Sequence, residues 1–162
     1  MIDDGTVAVR LAIAMALGGL VGLERELKEQ PAGFRTHILV ALGSCLFTLA
    51  SAYGFDGYDF EDPPRALRAD VTRIASQVVV GIGFIGGGTI LRYRGAISGL
   101  TTAASLWVTA AVGLAVGAGF ELGAAITVGL ALAALAILKP IERRILRQQG
   151  TRAPPREPDE MK

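Results

Sequence analysis

Ile38-Leu39-Val40-Ala41-Leu42-Gly43-Ser44-Cys45-Leu46-Phe47-Thr48-Leu49-Ala50-Ser51-Ala52-Tyr53-Gly54-Phe55 runs for eighteen residues without a charge. That length decides the fold class. At about 1.5 Å of rise per residue, such a helix spans ~27 Å, close to the ~30 Å hydrocarbon thickness of a bilayer. Lipid offers no hydrogen-bond partners, so a spanning segment must satisfy its backbone internally. Barrel strands would be about ten residues long with alternating polarity. No such alternation is present, and a helix follows.

The pattern recurs on both sides of this stretch. Residues 7–23 are apolar apart from Arg10, and residues 74–91 carry no charge. A fourth segment lies within the uncharged residues 95–120, Glu121 interrupts, and residues 122–138 make a fifth. The expected fold is all-α: a polytopic membrane bundle of about five transmembrane helices in one domain, residues 1–138. Residues 139–162 read as a basic juxtamembrane segment and a disordered tail. Within them, residues 141–149 are able to extend the fifth helix along the membrane surface.

Composition agrees. Half of the 162 residues are hydrophobic but only 6% are aromatic, and 21 are glycine, which suits close helix packing in lipid. The net charge of +1 comes with no basic face, so nucleic acid is not an expected partner. The single cysteine, Cys45, excludes an internal disulfide and a cysteine-based zinc site, and reads as a small buried apolar residue. Asp3 and Asp4 stand where a signal peptide would carry cations, so the first apolar segment reads as retained.

Lys and Arg set the orientation. With five spans, twelve fall on the side of the first loop, the third loop and the tail, against four on the other. The N-terminus is therefore expected outside and the C-terminus in the cytoplasm.

The polar residues that approach the membrane define the functional candidates. The first loop carries Glu24, Arg25 and Glu26, then Lys28 and Glu29; Glu24 and Lys28 have the favourable i, i+4 order if the helix continues. Pro31 and Gly33 force a turn, and Arg35, Thr36 and His37 open the second span. This loop reads either as solvated stop-transfer charge or as a polar site at the inner mouth of the bundle. His37, the only histidine, reads as an interfacial hydrogen-bonding residue or a proton sensor. In the third helix Asp70, Arg73 and Gln77 share one face, as a structural ion pair or a polar path, with Arg10 as another partner for Asp70.

Glycines mark helix contacts. Gly18 and Gly22, and Gly83 and Gly87, each form a GxxxG face. Residues 81–86 literally contain GxGxxG, but inside a spanning run with no βαβ context, so a dinucleotide site is rejected. Local unwinding of this glycine-rich helix, exposing carbonyls to a cation, remains open. In the fourth span Thr101 and Ser105 share a face beside Thr102, and Trp107 reads as packed. The acidic residues Asp56, Asp59, Glu61 and Asp62 read as solvated loop or a divalent-cation attractor.

Four blocks resemble the MgtC/SapB family of bacterial membrane proteins. They are Gly19-Leu20-Val21-Gly22-Leu23-Glu24-Arg25-Glu26 with Pro31-Ala32-Gly33-Phe34-Arg35-Thr36-His37, then Arg73-Ile74-Ala75-Ser76-Gln77 leading into Gly81-Ile82-Gly83-Phe84-Ile85-Gly86, and Gly99-Leu100-Thr101-Thr102-Ala103-Ala104-Ser105-Leu106-Trp107. The resemblance implies a multi-pass inner-membrane protein linked to growth under magnesium limitation, with virulence roles in some members. It also implies a regulatory role; an older description is of magnesium transport. Longer members carry a small cytoplasmic domain after the last span; about 24 residues follow it here, too few for such a domain.

The leading expectation is a non-enzymatic membrane protein tied to magnesium limitation or acid stress, without a cofactor, acting through helix contacts with copies of itself or other membrane proteins. The alternative is a magnesium or other ion transporter with a path along Asp70, Arg73, Gln77 and Glu24/Glu26. No nucleophile–base constellation points to an enzyme. The second and fifth spans read as scaffold.

Overall fold

The computed structural model describes residues 2–54, 71–93 and 96–150. They form five helices and one short hairpin: α1 (Asp4–Leu27), α2 (Phe34–Tyr53), α3 (Val71–Gly88), β1 (Leu91–Tyr93), β2 (Ala96–Ser98), α4 (Leu100–Gly117) and α5 (Glu121–Gly150).

Each boundary has a local cause. The Asp3 carboxylate accepts the Gly5 and Thr6 N–H groups at 2.9 and 3.0 Å and starts α1. Glu29, at φ 53°, takes the left-handed conformation that ends it. The Glu26 carboxylate reaches across the turn to accept the Phe34 N–H at 2.8 Å and so caps α2. A side chain on Gly33 would overlap that carboxylate, which is why glycine precedes the helix.

α3 is continuous through Gly81, Gly83 and Gly86 to Gly88, so it is not unwound at its glycines. It stops three residues short of the expected 91, because β1 and β2 take the following chain into an antiparallel hairpin with Arg92 opposite Ile97. The hairpin was not expected. Gly99, at φ 88°, then opens α4 in a backbone conformation that disfavours any side chain. α5 continues past residue 138 as one helix to Gly150.

α1, α2 and α4 are long and apolar enough to cross a membrane; the apolar stretches of α3 and α5, Arg73–Gly88 and Glu121–Ile137, are shorter. Sixteen helical residues reach only about 24 Å, so α3 needs tilt-free placement or local thinning to span.

The core is the α1–α2–α4 seam. Ala14, Val21, Ala41, Cys45, Leu49, Val112 and Val116 are buried there, with Ala124 and Val128 added by α5. Glycines set the spacing. A Cβ on Gly18 would lie 2.6 Å from the Ala41 Cβ, and one on Gly22 would lie 2.8 Å from the Phe34 Cα. On α4, Gly113 faces the Ala41 carbonyl and Gly117 the Cys45 carbonyl at similar closeness. This second glycine pair was not singled out in the sequence. By contrast, a Cβ on Gly83 or Gly87 meets nothing within 4 Å. That pair is not a contact face within this chain.

Candidate functional site

The polar candidates separate into a buried centre and an open face. The buried centre lies where the end of α1 and the start of α2 meet the start of α4. His37 is fully buried inside the protein and hydrogen-bonded there. Its place follows from Gly22, whose missing side chain lets the His37 Cβ approach α1. The His37 Nδ1–H donates to the Gly33 carbonyl at 2.9 Å, one turn back. That bond fixes the tautomer and turns Nε2 toward Ser105 Oγ, 3.2 Å away on α4. The Ser105 hydroxyl also lies 2.9 Å from the Thr102 carbonyl. One hydroxyl proton therefore faces two acceptors while His37 is neutral. If His37 is protonated, Nε2–H donates to Ser105 and Ser105 donates to Thr102, so every group is satisfied.

Arg25 is buried beside this centre and pairs with its neighbour Glu24, the Arg25 Nε donating to the carboxylate at 2.5 Å. Among the described residues Glu24 pairs with Arg25 rather than with Lys28, which caps α1 just past its end at Leu27. The second oxygen of Glu24, Oε1, is buried without a hydrogen-bond partner among the described residues. Glu26 is the α2 cap. The crowding of acids in this loop thus has structural causes: one ion pair, one cap, and Glu29 in the left-handed turn.

The hydroxyl face of α4 differs from the expected one. Thr102, Ser105 and Thr109 are buried at i, i+3 and i+7, with Ser105 meeting His37 of α2, while Thr101 is exposed; Ser44 and Thr48 lie further along, opposite Gly113 and Gly117. The Thr109 and Thr48 hydroxyls each bond a carbonyl four residues back, at 2.8 Å. Trp107 is half-exposed on the outer face rather than packed. α2, expected as scaffold, is the hub of this polar seam.

At the opposite end, Arg10 donates to the Gly117 carbonyl at 3.0 Å, lies 3.5 Å from the Glu121 carboxylate and sits 6.0 Å from the Tyr53 ring centroid. Glu121, read in the sequence as a mere interruption, is its ionic partner. The i, i+3 logic applied to α3 had no means of finding a pair 111 residues apart in the chain.

The open face belongs to α3. Arg73 and Gln77 are exposed there, Arg35 and Thr36 lie on the outer side of α2, and Asp70 and the acidic cluster 56–62 lie outside the described residues. Between α2 and α3 runs a groove of about 640 Å³ lined by Leu39, Phe47, Ile74, Val78 and Ile85, with Thr36, Ser44 and Gln77 its polar members. The path expected along Arg73, Gln77 and Glu24/Glu26 is not drawn together: Glu24 lies in the packed α1–α2–α4 junction, Glu26 on the exposed turn, and Arg73 and Gln77 on the open side of α3. Among the described residues no three His, Cys, Asp or Glu side chains converge as a metal site.

Comparison with known proteins gives this arrangement its context. The model of the MgtC family matches residues 11–144. The Escherichia coli K12 protein named "Putative magnesium transporter YhiD" is 47% identical over 111 residues, covering 68% of this chain and 50% of that protein. The Bacillus subtilis protein SapB is 43% identical over 120 residues, 72% of this chain and 49% of its own length. MgtC of Brucella abortus is 39% identical over 134 residues, 83% and 52% respectively. The chain thus spans about half the length of these relatives. No solved structure matches. None of these names is that of an enzyme. With its apolar helices and a family match running from α1 into α5, this multi-pass inner-membrane protein belongs to the MgtC family.

Proposed function

We propose that the chain is a non-enzymatic regulator in the inner membrane, tied to magnesium limitation or acid stress and, by family resemblance, to virulence, and that it acts by helix contacts with membrane partners. One observation carries this reading: most polar side chains of the core are held by one another or by backbone carbonyls, while α3 keeps an open, apolar surface. A transporter needs a wettable route across the bundle. Here the seam that holds His37, Ser105, Thr109 and Thr48 is closed by Ala41, Val112 and Gly113. The end bearing Glu24 and Arg25 faces the cytoplasm in this reading, since the cation excess lies on that side. A reporter fused after Lys162 that is active only outside the cell would reverse that assignment.

The second reading is magnesium transport, which the printed name of the YhiD relative favours. Flux separates the two. Purified protein in liposomes is expected to leave magnesium and proton gradients unchanged. Selective magnesium flux that disappears in Gln77→Ala or Asp70→Asn would replace the regulatory reading with the transport one.

A further inference from the structure

The α3 surface is specific in what it leaves unsatisfied. Gln77 lines the groove together with Ser44 of α2 and lies inside the apolar stretch of α3, about one helical turn past Arg73. Its amide makes no hydrogen bond to any described residue, and the side chain is exposed. An exposed amide in the hydrocarbon layer is costly unless a partner reaches it. Around it the helix is bare. Val80 is 68% and Phe84 88% exposed, and a Cβ on Gly81 or Gly88 would meet nothing within 4 Å. Gln77, Gly81, Phe84 and Gly88 recur at i, i+4, i+7 and i+11, which is one seam of a helix.

We propose that this seam binds a second copy of the chain, α3 against α3, with the two Gln77 amides hydrogen-bonded to each other across a twofold axis along the membrane normal. The inference rests on the regulatory, contact-making reading above and names its surface. Two features select this occupant. A carboxamide carries both donor and acceptor, so an identical group opposite satisfies both through two reciprocal bonds. Two copies inserted with the same topology also hold Gln77 at the same depth by necessity, as an isologous interface requires. A lipid acyl chain fills apolar space at that depth but offers the amide no donor or acceptor. The glycines at 81 and 88 leave room for the backbones to approach.

Cysteine cross-linking in native membranes tests this. Cys45 is fully buried and stays in place. Gln77→Cys and Phe84→Cys are expected to give disulfide-linked dimers on mild oxidation. Met15→Cys, at mid-length of α1 and also exposed, is expected to give none. Gln77→Leu, which keeps volume and removes the amide, should weaken dimerisation measured by dilution in detergent or lipid about 3- to 20-fold, the range for interhelical hydrogen bonds lost in a membrane. Equal cross-linking at Met15→Cys, no dimer at either α3 position, capture of a different membrane protein alone at Gln77→Cys, or unchanged dimerisation in Gln77→Leu would each overturn the proposal. Because flux is not measured here, failure of the dimer leaves the liposome result standing on its own.

Discussion

α1 and α3 both carry GxxxG glycines, and the structure uses them in opposite ways. On α1, Gly18 and Gly22 touch α2 so closely that any side chain would overlap Ala41 or the backbone of Phe34. On α3, Gly83 and Gly87 touch nothing in this chain. The motif therefore states that a helix can be approached closely, not by whom. α1 meets its partner within the chain, and Arg25 and His37 are buried with it, Glu24 being mostly covered beside them. α3 packs on α2 and α4 through Val78, Ile82 and Gly86, and leaves Gln77 without a hydrogen bond among the described residues. Function expressed through contact is expected from the second kind of helix, and stability from the first.

The sharpest way to break this comparison is to fill both glycine pairs. Gly22→Leu forces side-chain atoms into the Phe34 backbone, which has nowhere to move. Overpacking of this kind costs about 1–3 kcal/mol or more, enough to abolish a marginally stable bundle. The expected result is loss of monodisperse protein after detergent extraction. Gly87→Leu meets open space and gains helix propensity by up to ~1 kcal/mol, so its melting temperature should hold or rise. Equal damage from both substitutions would dissolve the distinction between the helices.

A somewhat smaller effect is expected at His37. His37→Ala removes the His37–Ser105 bridge between α2 and α4 and leaves a cavity in a fully buried position; a loss of about 2–4 kcal/mol follows, read as a lower thermal midpoint in detergent. Thr101→Ala, one helical turn from Ser105 but exposed, should stay within about 0.5 kcal/mol of the parent. If Thr101→Ala were the costlier change, the hydroxyl face of α4 would be misassigned.

Much of this was legible in the residues. Uncharged runs of spanning length place all five helices, because exclusion of charge from lipid acts on each segment alone. Glu24, Arg25 and His37 mark the packed junction, since polar groups crowd there beyond what topology needs, whereas Glu26 and Thr36 of the same blocks lie outside it. What escaped depends on neighbours. A helix wheel puts Thr101 and Ser105 together, but the position of α2 decides that Thr102, Ser105 and Thr109 form the inward face. Arg10 finds Glu121 only once α1 and the start of α5 are packed. The hairpin after α3 is three residues per strand, too short for a periodic signal to separate it from the apolar run it interrupts.

That outer pair gives a weaker handle on the same contrast. Arg10 is mostly buried and Glu121 partly exposed, at 15% and 40% of side-chain surface, so solvent screens the attraction. Glu121→Gln should cost no more than about 1 kcal/mol, less as salt rises. Arg10→Met should cost more, because it also removes the bond to the Gly117 carbonyl where α4 ends.

The smallest expected effect lies at the start of α1, outside the packed seam. The Thr6 hydroxyl, then the Gly5 and Thr6 N–H groups, hold the Asp3 carboxyl below its ordinary value of 3.8. The folded form thus prefers the carboxylate more than the unfolded chain does. Its contribution is complete above the unfolded value and is lost as pH falls through the lowered folded one. Amide exchange at Gly5–Val7 should therefore quicken, relative to its intrinsic rate, only at strongly acidic pH, and Asp3→Ala should show the quickened exchange already at neutral pH, the two converging in strong acid. Because α1 is anchored by Gly18 and Gly22 further along, this fraying is expected to remain local, leaving exchange at Ala14 and Val21 unchanged. Fraying that spreads to those positions would mean that the cap, rather than the glycine contacts, holds α1 in the bundle.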